Sequence, residues 1–474
     1  MKNLYLDTIV APATTPGTGA ISIVRLSGPD CFRIVDTVVQ LTRGTVSDAG
    51  AYTIHFGKVF LGATLLDEVL VSVFRAPHSY TGEDAVEIST HASSYIVQVL
   101  IGLLLKAGAR FAEPGEFTRR AFLNGKMDLA QAEAVADVIS SSTAASHRVA
   151  MNQLKGGFSK ELARLRSELL EMASLLELEL DFSEEDVEFA DREKLLGLLD
   201  TTRAHVDRLA ASFHQGNMIK NGVPVAIVGA ANAGKSTLLN ALVGEERAIV
   251  TDIPGTTRDT IEEAINLEGV LFRFIDTAGI RESQDAVENL GIERSFRKMA
   301  EAEIVLGMLD GTAQPEELAA QLALLGQHLT GSSQKLILLL NKADLVENWA
   351  HNKNVLIINK FVLLRDSKVN VLELSAKNGQ GLDQLKSTLV SLEKDLISGQ
   401  NATFVTNVRH YDALRQASSA LQDCRTSLSR GIPSDLVAED LRRALASINE
   451  ILGTDLLDPE VILHSIFRNH CIGK

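Results

Sequence analysis

The stretch VPVAIVGAANAGKSTLLNALV, residues 223–243, decides the fold of the middle of the chain. It opens with an apolar run of strand length, continues as GAANAGKS (229–236), and ends in an apolar segment of helical character. GAANAGKS fits G-x-x-x-x-G-K-[ST] in the strand-to-helix context that a phosphate-binding loop requires. Gly229 and Gly234 let the backbone turn its N–H groups toward phosphate oxygens. Lys235 would place a positive charge on the β and γ phosphates, and the Ser236 hydroxyl suits Mg²⁺. Alone, the match is also satisfied by a glycine-rich turn before a helix.

Outward from the loop, short apolar runs alternate with helical or loop stretches: VLFRFID, EIVLGMLD, KLILLLNKAD and VLELSAK. This is the grammar of buried parallel strands in an α/β domain. Three of the runs end in further motifs. DTAG (Asp276, Thr277, Ala278, Gly279) offers a carboxylate that can hold Mg²⁺ through water and a Gly279 amide that can sense a γ-phosphate. NKAD (Asn341, Lys342, Ala343, Asp344) offers the Asp344 carboxylate to guanine N1–H and N2–H₂. Adenine would leave that carboxylate unpaired, a mismatch worth on the order of 10⁴ in discrimination. In SAK (Ser375, Ala376, Lys377) the Ala376 amide can reach guanine O6, while Lys342 can pack along the base. Four motifs in this order at strand ends predict a guanine-nucleotide site.

The flanks are different. No proline occurs between Pro114 and Pro224, and residues 127–154 and 159–182 carry apolar positions at three- and four-residue spacing, as long amphipathic helices do. A second helical block, residues 410–430 and 435–452, follows the middle segment. An α/β domain inserted into a helical one is therefore expected. Residues 1–118, with strand-like ISIVRLSG, YTIHFGKVF and EVLVSVFRA between helices near 30–40 and 92–107, predict a separate α+β domain.

Composition narrows the function classes. The 474 residues carry 46 Lys+Arg and 61 Asp+Glu, a net charge of −15, which argues against a broad nonspecific nucleic-acid coat but not against a local basic patch. No apolar run approaches a membrane span, no secretory leader is visible, and three cysteines make no disulfide framework, so a cytoplasmic protein is expected.

The motif set resembles the P-loop GTPases of the translation-factor class. By that resemblance TDIPGTTRD looks like switch I, adding Thr251, Asp252, Ile253, Pro254, Gly255, Thr256 and Thr257 to a nucleotide site that already includes Asn232, Ala233, Gly234, Lys235, Ser236 and Thr237. Thr257 becomes the second hydroxyl ligand to Mg²⁺. Ile280 follows DTAG where Ras-like members have a water-orienting Gln, so catalytic help must come from elsewhere.

DTIVAPATTPGTGAISIVRLSG near the start, PHSYTGEDAVEI (77–88), EPGEFTRRAFLNGKMDLAQAEAVADVI (113–139) and the terminal CIGK (471–474) resemble the MnmE (TrmE) family of tRNA modification GTPases over essentially the whole chain. The resemblance implies a multidomain α+β and α/β fold. Residues 1–118 would bind tetrahydrofolate and dimerise, 119–219 and 384–474 would form a discontinuous helical domain, and 220–383 an inserted Ras-like GTPase. It implies GTP hydrolysis coupled, with the flavoprotein MnmG (GidA) in a heterotetramer, to an aminomethyl or carboxymethylaminomethyl group at C5 of uridine 34 in certain tRNAs. A 5-formyl- or methylene-tetrahydrofolate would carry the one-carbon unit, and FAD would sit on the partner.

Residue by residue, the resemblance puts folate contacts on Arg25, Glu87, Lys126 and Lys474. It puts K⁺ ligands on Asn232, Thr251, Ile253 and Thr256, the ion serving in place of an arginine finger when two G domains meet. Glu288 would orient the hydrolytic water, and Arg281 would steady switch II. Cys471 is either a working thiol or an anchor for the tail. His91-Ala92-Ser93 stands where the family usually has His-Gly-Gly, and Ala231 where Pro is common. The arginines at 119, 120, 442 and 443 are candidate tRNA phosphate contacts. A ribosome-assembly GTPase explains the G motifs equally well but not CIGK or the N-terminal segments; a scaffold regulated by hydrolysis is a third reading.

Overall fold

The computed structural model describes residues 7–181, 192–230, 232–245, 263–275, 299–329, 334–346, 353–363, 369–394, 403–454 and 473. The switch I segment (251–259), DTAG, Ile280, Arg281, Glu288, Cys471 and Lys474 lie outside the described residues. Two compact units divide the chain, one of residues 1–139, 151–203 and 416–474, the other of 140–150 and 204–415.

The first unit holds a seven-stranded sheet of β1 (Ile9–Pro12), β2 (Ile21–Ser27), β3 (Val39–Leu41), β4 (Thr53–Leu61), β5 (Thr64–Phe74), β6 (Ala85–His91) and β7 (Arg110–Phe111). Its order is β3-β4-β5-β6-β2-β1-β7, antiparallel except where β7 runs parallel to β1. Strand periodicity sends Val24 and Leu26 of β2, Val86 and Ile88 of β6 and Val69, Val71 and Val73 of β5 into one core with the Cys31–Val38 and Ser94–Lys106 helices. Arg25 and Glu87, one residue out of phase, face the other way. The same unit contains the Gly157–Asp181 and Ser434–Leu452 helices. Leu162, Leu165, Leu169, Met172 and Leu176 of the first, and Val437, Leu441, Ala444, Ile448 and Ile451 of the second, are buried stripes at helical spacing. Arg166 Nε adds a 2.9 Å bond to Asn449 Oδ1 between these helices.

Residues 127–154 are not one helix. Leu129–Ser140 and Ala144–Leu154 are separate, because Thr143 makes a reciprocal cap: the Ser146 amide donates to Thr143 Oγ1 at 3.0 Å and the Thr143 amide to Ser146 Oγ at 3.1 Å. Local hydroxyls there outcompete the helical ladder that apolar spacing alone predicts.

The second unit is built on β8 (Val223–Gly229), β9 (Glu263–Leu267), β10 (Val270–Ile275), β11 (Ile304–Asp310), β12 (Lys335–Asn341) and β13 (Asn370–Glu373), in the order β13-β12-β11-β8-β10-β9. All neighbours are parallel except β9 with β10. β12 is buried from Leu336 to Asn341, the continuous apolar run of a strand covered on both faces. The order reverses direction at β8, the position where open α/β sheets take ligands beyond the carboxyl ends of their strands.

Candidate functional site

The loop after β8 occupies that switch point. Asn232 (φ 61°) and Gly234 (φ 99°) are both left-handed, which Asn tolerates and Gly adopts freely. A side chain at Gly229 would run into the Met308 carbonyl, and one at Gly234 into the Asn341 amide, so both glycines are required by close approach as well as by turn geometry. The Lys235–Glu245 helix follows at once, directing its free N–H groups at the loop. Ser236 and Thr237 are exposed in its first turn.

Asn341 is the keystone of this site. Only 4% exposed, it donates from Nδ2 to the Ala233 carbonyl at 2.7 Å and accepts at Oδ1 from the Ala376 amide at 2.9 Å. One side chain thereby fixes the phosphate loop and the SAK loop to the end of β12. The Ala376 amide, expected at guanine O6, is in this structure bonded to Asn341. Lys342 follows in a left-handed conformation (φ 64°) that brings its Nζ to 2.5 Å from Asp310 Oδ2. A strained backbone of this kind persists only where the surroundings hold it. Burial raises the Asp310 pKa, but Lys342 and the Thr312 hydrogen bonds outweigh it and the net shift is downward. Asp344 lies exposed in the Ala343–Leu345 turn. Its carboxylate makes no hydrogen bond with any other described residue.

Lys235 Nζ donates to the carbonyls of Gly229 (2.9 Å) and Ala230 (2.8 Å). Burial pushes its pKa down. Among the described residues its hydrogen-bond partners are neutral carbonyls, and a desolvated ammonium so held suits an anion at the same place. Sequence reasoning passed over Met308 and Asp310, the β11 residues against which the loop and Lys342 are set; the run EIVLGMLD contains both but no motif marks them.

The first unit carries a second constellation. Strand register pairs Arg25 of β2 with Glu87 of β6. Arg25 Nε (2.9 Å) and Nη2 (2.8 Å) both engage Glu87 Oε1, and Arg25 Nη1 donates to the Gly473 carbonyl at 3.1 Å. The guanidinium carbon lies 5.6 Å from the Tyr80 ring centre and 5.7 Å from that of Phe117, within cation–π range. Arg25, Glu87, Tyr80 and Phe117, with Ser27, Phe74, Thr81 and Ala85, line a recess of about 70 Å³. Burial drives the Tyr80 phenol pKa upward despite its 2.8 Å bond with Thr118 Oγ1, so Tyr80 stays neutral. Lys126 is exposed, its Nζ 3.0 Å from the Pro77 carbonyl and its stem beside Gly82, on the loop that supplies Tyr80 and Thr81. Sequence does not mark the aromatic walls, although Tyr80 and Phe117 stand inside quoted motifs, because in those motifs only the charged residues signal chemistry.

Arg120 is a correction. It is fully buried, bonded to Glu116 Oε1 (Nη2, 3.0 Å), Asp7 Oδ1 (2.8 Å) and Glu83 Oε2 (3.3 Å), and cannot contact tRNA phosphates. Apolar spacing does not reveal that a helix buries an arginine; the surplus of acids at Asp7, Glu83 and Glu116 decides it. Arg119 is only 14% exposed and pairs with Glu113, whereas Arg442 and Arg443 are exposed beside Glu439, Asp423 and Asp440. Cys31 and Cys424 are buried, and burial raises both thiol pKa values, Cys424 to about 12, so neither is a ready nucleophile. Among the described residues no helix is long and apolar enough to cross a membrane.

Comparison with known proteins places both constellations in one lineage. A family model described as the MnmE helical domain matches residues 129–471, and one described as the N-terminus of the GTP-binding protein TrmE matches residues 8–126. A protein of Bacteroides thetaiotaomicron named tRNA modification GTPase MnmE is 49% identical over 472 residues, covering 99% of each chain. One of the same name from Flavobacterium johnsoniae is 47% identical over 472 residues, again 99% of each. A solved Aquifex aeolicus Era variant bound to GDP and AlF₄⁻ is 28% identical, covers 42% of this chain and 66% of its own, and has a TM-score of 0.28.

Proposed function

The chain belongs to the MnmE (TrmE) family of tRNA modification GTPases, and from that membership we propose that it hydrolyses GTP in the course of building a C5 substituent on uridine 34 of tRNA, with MnmG as its flavin-bearing partner. The observation that carries the nucleotide half is the Asn341 bridge, which holds the phosphate loop and the SAK loop in one frame, with Asp344 exposed in the turn that follows β12. Asp344 accepts from guanine N1–H and N2–H₂, the Lys342 stem covers the base, and Lys235 exchanges its two carbonyls for the β and γ phosphates. The Ser236 and Thr257 hydroxyls hold Mg²⁺. Asn232 would hold K⁺ together with oxygens from Thr251, Ile253 and Thr256, and bound cations there would supply positive charge against the phosphates. Glu288 orients water and Arg281 steadies its segment.

The recess of the first unit is the tetrahydrofolate site. Arg25, with Lys126 and Lys474, meets carboxylates; Glu87 accepts paired N–H groups; and Phe74, Tyr80 and Phe117 supply flat walls. The folate supplies the one-carbon unit when bound. Residues 1–118 act as the folate-binding and dimerising part, 220–383 as the G domain, and 119–219 with 384–474 as the helical domain, working in the cytoplasm. A homodimer agrees with the exposed apolar face of β4 and β5, where Ile54 and the cross-strand pair Phe56 and Leu70 meet solvent. Arg119, Arg442 and Arg443 are the tRNA contacts that survive the burial of Arg120, and Cys471 anchors the tail.

Nucleoside analysis of tRNA tests the whole reading. Uridine 34 should lose its C5 substituent in cells lacking this gene, regain it with the native copy, and fail to regain it with Lys235→Ala. Normal uridine 34 in the deletion strain would refute it. With purified protein, GTP turnover should rise when K⁺ replaces Na⁺ at constant ionic strength; equal rates would remove Asn232 from ion binding.

A further inference from the structure

The β11 and β12 strands stay in register to their last residues, so Asp310 stands directly across from Asn341, the residue before Lys342. That pairing sets an acid beside the turn that begins with Lys342. The acid's own loop is braced: the Gly311 amide donates to the Asn341 carbonyl at 2.9 Å, and Asn354 Nδ2 donates to the Ala313 carbonyl at 3.1 Å. The turn is pinned as well, by the Ala343 amide on the Leu374 carbonyl (3.1 Å) and the Leu345 amide on the Lys342 carbonyl (2.9 Å). With its backbone fixed in the left-handed region, Lys342 can send its side chain along few paths. The Asp310 carboxylate is divided between two duties. Its Oδ1 accepts from the Thr312 amide at 2.9 Å and from Thr312 Oγ1 at 2.7 Å, which stops the group from rotating. Its Oδ2 is left for the Lys342 ammonium, 2.5 Å away. Burial works against a charge on Asp310, but Lys342 and Thr312 outweigh it and the carboxylate stays ionised.

We infer that Asp310 is a positioning residue of the base site: it anchors the Lys342 head, so that the methylene stem is already laid where a guanine base packs. The inference rests on the turn after β12 being that site and adds what prepares it. Lysine has one of the largest rotamer entropies of any side chain, and a stem that must be ordered during binding subtracts that cost from affinity. A stem ordered beforehand does not. The pairing has a second consequence: Lys342 brings its apolar length to the base with its charge already matched by Asp310, whereas Lys235 is held by neutral carbonyls and keeps its charge for phosphates. Loss of Asp310 should therefore weaken GDP and GTP alike and leave the base preference set by Asp344 as it is.

Fluorescence titration of the full chain with N-methylanthraniloyl GDP and GTP, beside steady-state GTP turnover, tests it. Asp310→Asn can keep both Thr312 bonds through its carbonyl oxygen but turns an amide toward the ammonium. Both nucleotides should bind about five- to tenfold more weakly and the KM for GTP should rise, while turnover at saturation changes by less than about twofold. Lys342→Met keeps the stem and loses the head, and in that background Asp310→Asn should add less than about twofold. Native affinity in Asp310→Asn overturns the inference. So does an undiminished loss in the Lys342→Met background, which would mean that the acid acts through its own turn, and so do unequal losses for GDP and GTP. Should Asp310→Asn not fold, Lys342→Met breaks the same pair from the other side, and native affinity there overturns the inference. Asp344→Asn is run beside them: unchanged GTP affinity there removes the base-site reading itself, whereas a loss there with native affinity in Asp310→Asn removes only the anchor.

Discussion

The nucleotide loop draws its phosphate-facing groups from eight consecutive residues, 229–236, whereas the Arg25 recess is assembled from residues spread between positions 25 and 117. In the loop the contacts to be made are mainly backbone N–H groups, and side chains at Asn341 and Met308 only constrain the path. In the recess the groups are side chains, those of Arg25, Ser27, Phe74, Ala85 and Glu87 set by strand register and those of Tyr80, Thr81 and Phe117 brought in by a loop and a helix. A backbone site tolerates change at most of its positions but none at its glycines and its brace. A side-chain site inherits the precision of its sheet and depends on whatever orients each group.

The sharpest way to break this contrast is at Asp344, the nucleotide-site residue whose carboxylate makes no hydrogen bond among the described residues. Asp344→Asn replaces an acceptor by an amide that cannot match both guanine donors, and GTP affinity should fall by a factor on the order of 10³ to 10⁴ while xanthine nucleotide binding appears. Competition binding with GTP and XTP checks it; an unchanged base preference would mean that the turn after β12 does not read the base.

Next in size is the charge cluster behind the recess. Arg120→Ala leaves Glu116, fully buried, and Glu83, nearly so, without their shared cation, and should cost about 3–5 kcal/mol of stability. Arg443→Ala, which breaks an ion pair exposed by about half on both sides, should cost less than about 1 kcal/mol. Denaturant unfolding of the two variants decides it, and similar losses would put Arg120 back at the surface as a free phosphate contact.

That pair of arginines also marks where sequence reading stops. The parallel strands, the P-loop, NKAD and SAK were legible because each is a contiguous word whose chemistry depends on local spacing. β9 was not, since EAINL is short and only pairing with β10 makes it a strand. The recess was legible only as charges: Arg25 and Glu87 come from quoted motifs, but their mutual contact follows from register between β2 and β6, and the aromatic walls come from the end of β5 (Phe74), the loop after it (Tyr80) and the Glu116–Leu123 helix (Phe117). Arg119 and Arg120 are neighbours in sequence, yet a helix turns them about 100° apart, sending Arg120 to the acids and leaving Arg119 near solvent. Nothing in the dipeptide distinguishes them.

The smallest effect separates the two units by the sign of their response to acid. For Glu116, in the first unit, burial alone would raise the pKa; the Arg110 hydrogen bonds, the Glu113 amide and Arg120 outweigh it, and the folded value lies below the ordinary 4.5. For Glu393, in the second unit, burial again dominates, but the 2.6 Å contact with Lys335 Nζ does not overcome it and Glu303 adds a like charge, so the folded value lies above 4.5. The stabilisation from Glu116 is thus complete above pH 4.5 and is lost as pH falls through its lowered value. That from Glu393 is complete below pH 4.5 and is lost as pH rises through its raised value. Glu116→Gln should therefore destabilise the chain at pH 7 by a margin that shrinks toward acid. Glu393→Gln, which can still accept from Lys335, should be neutral or stabilising at pH 7, with any gain vanishing below pH 4.5. Unfolding measured across this range with amide exchange assigned to each unit gives both signs at once. Equal signs would mean that Lys335 compensates Glu393 as fully as Arg110 and Arg120 compensate Glu116, and that the buried carboxylates of the two units are solvated alike.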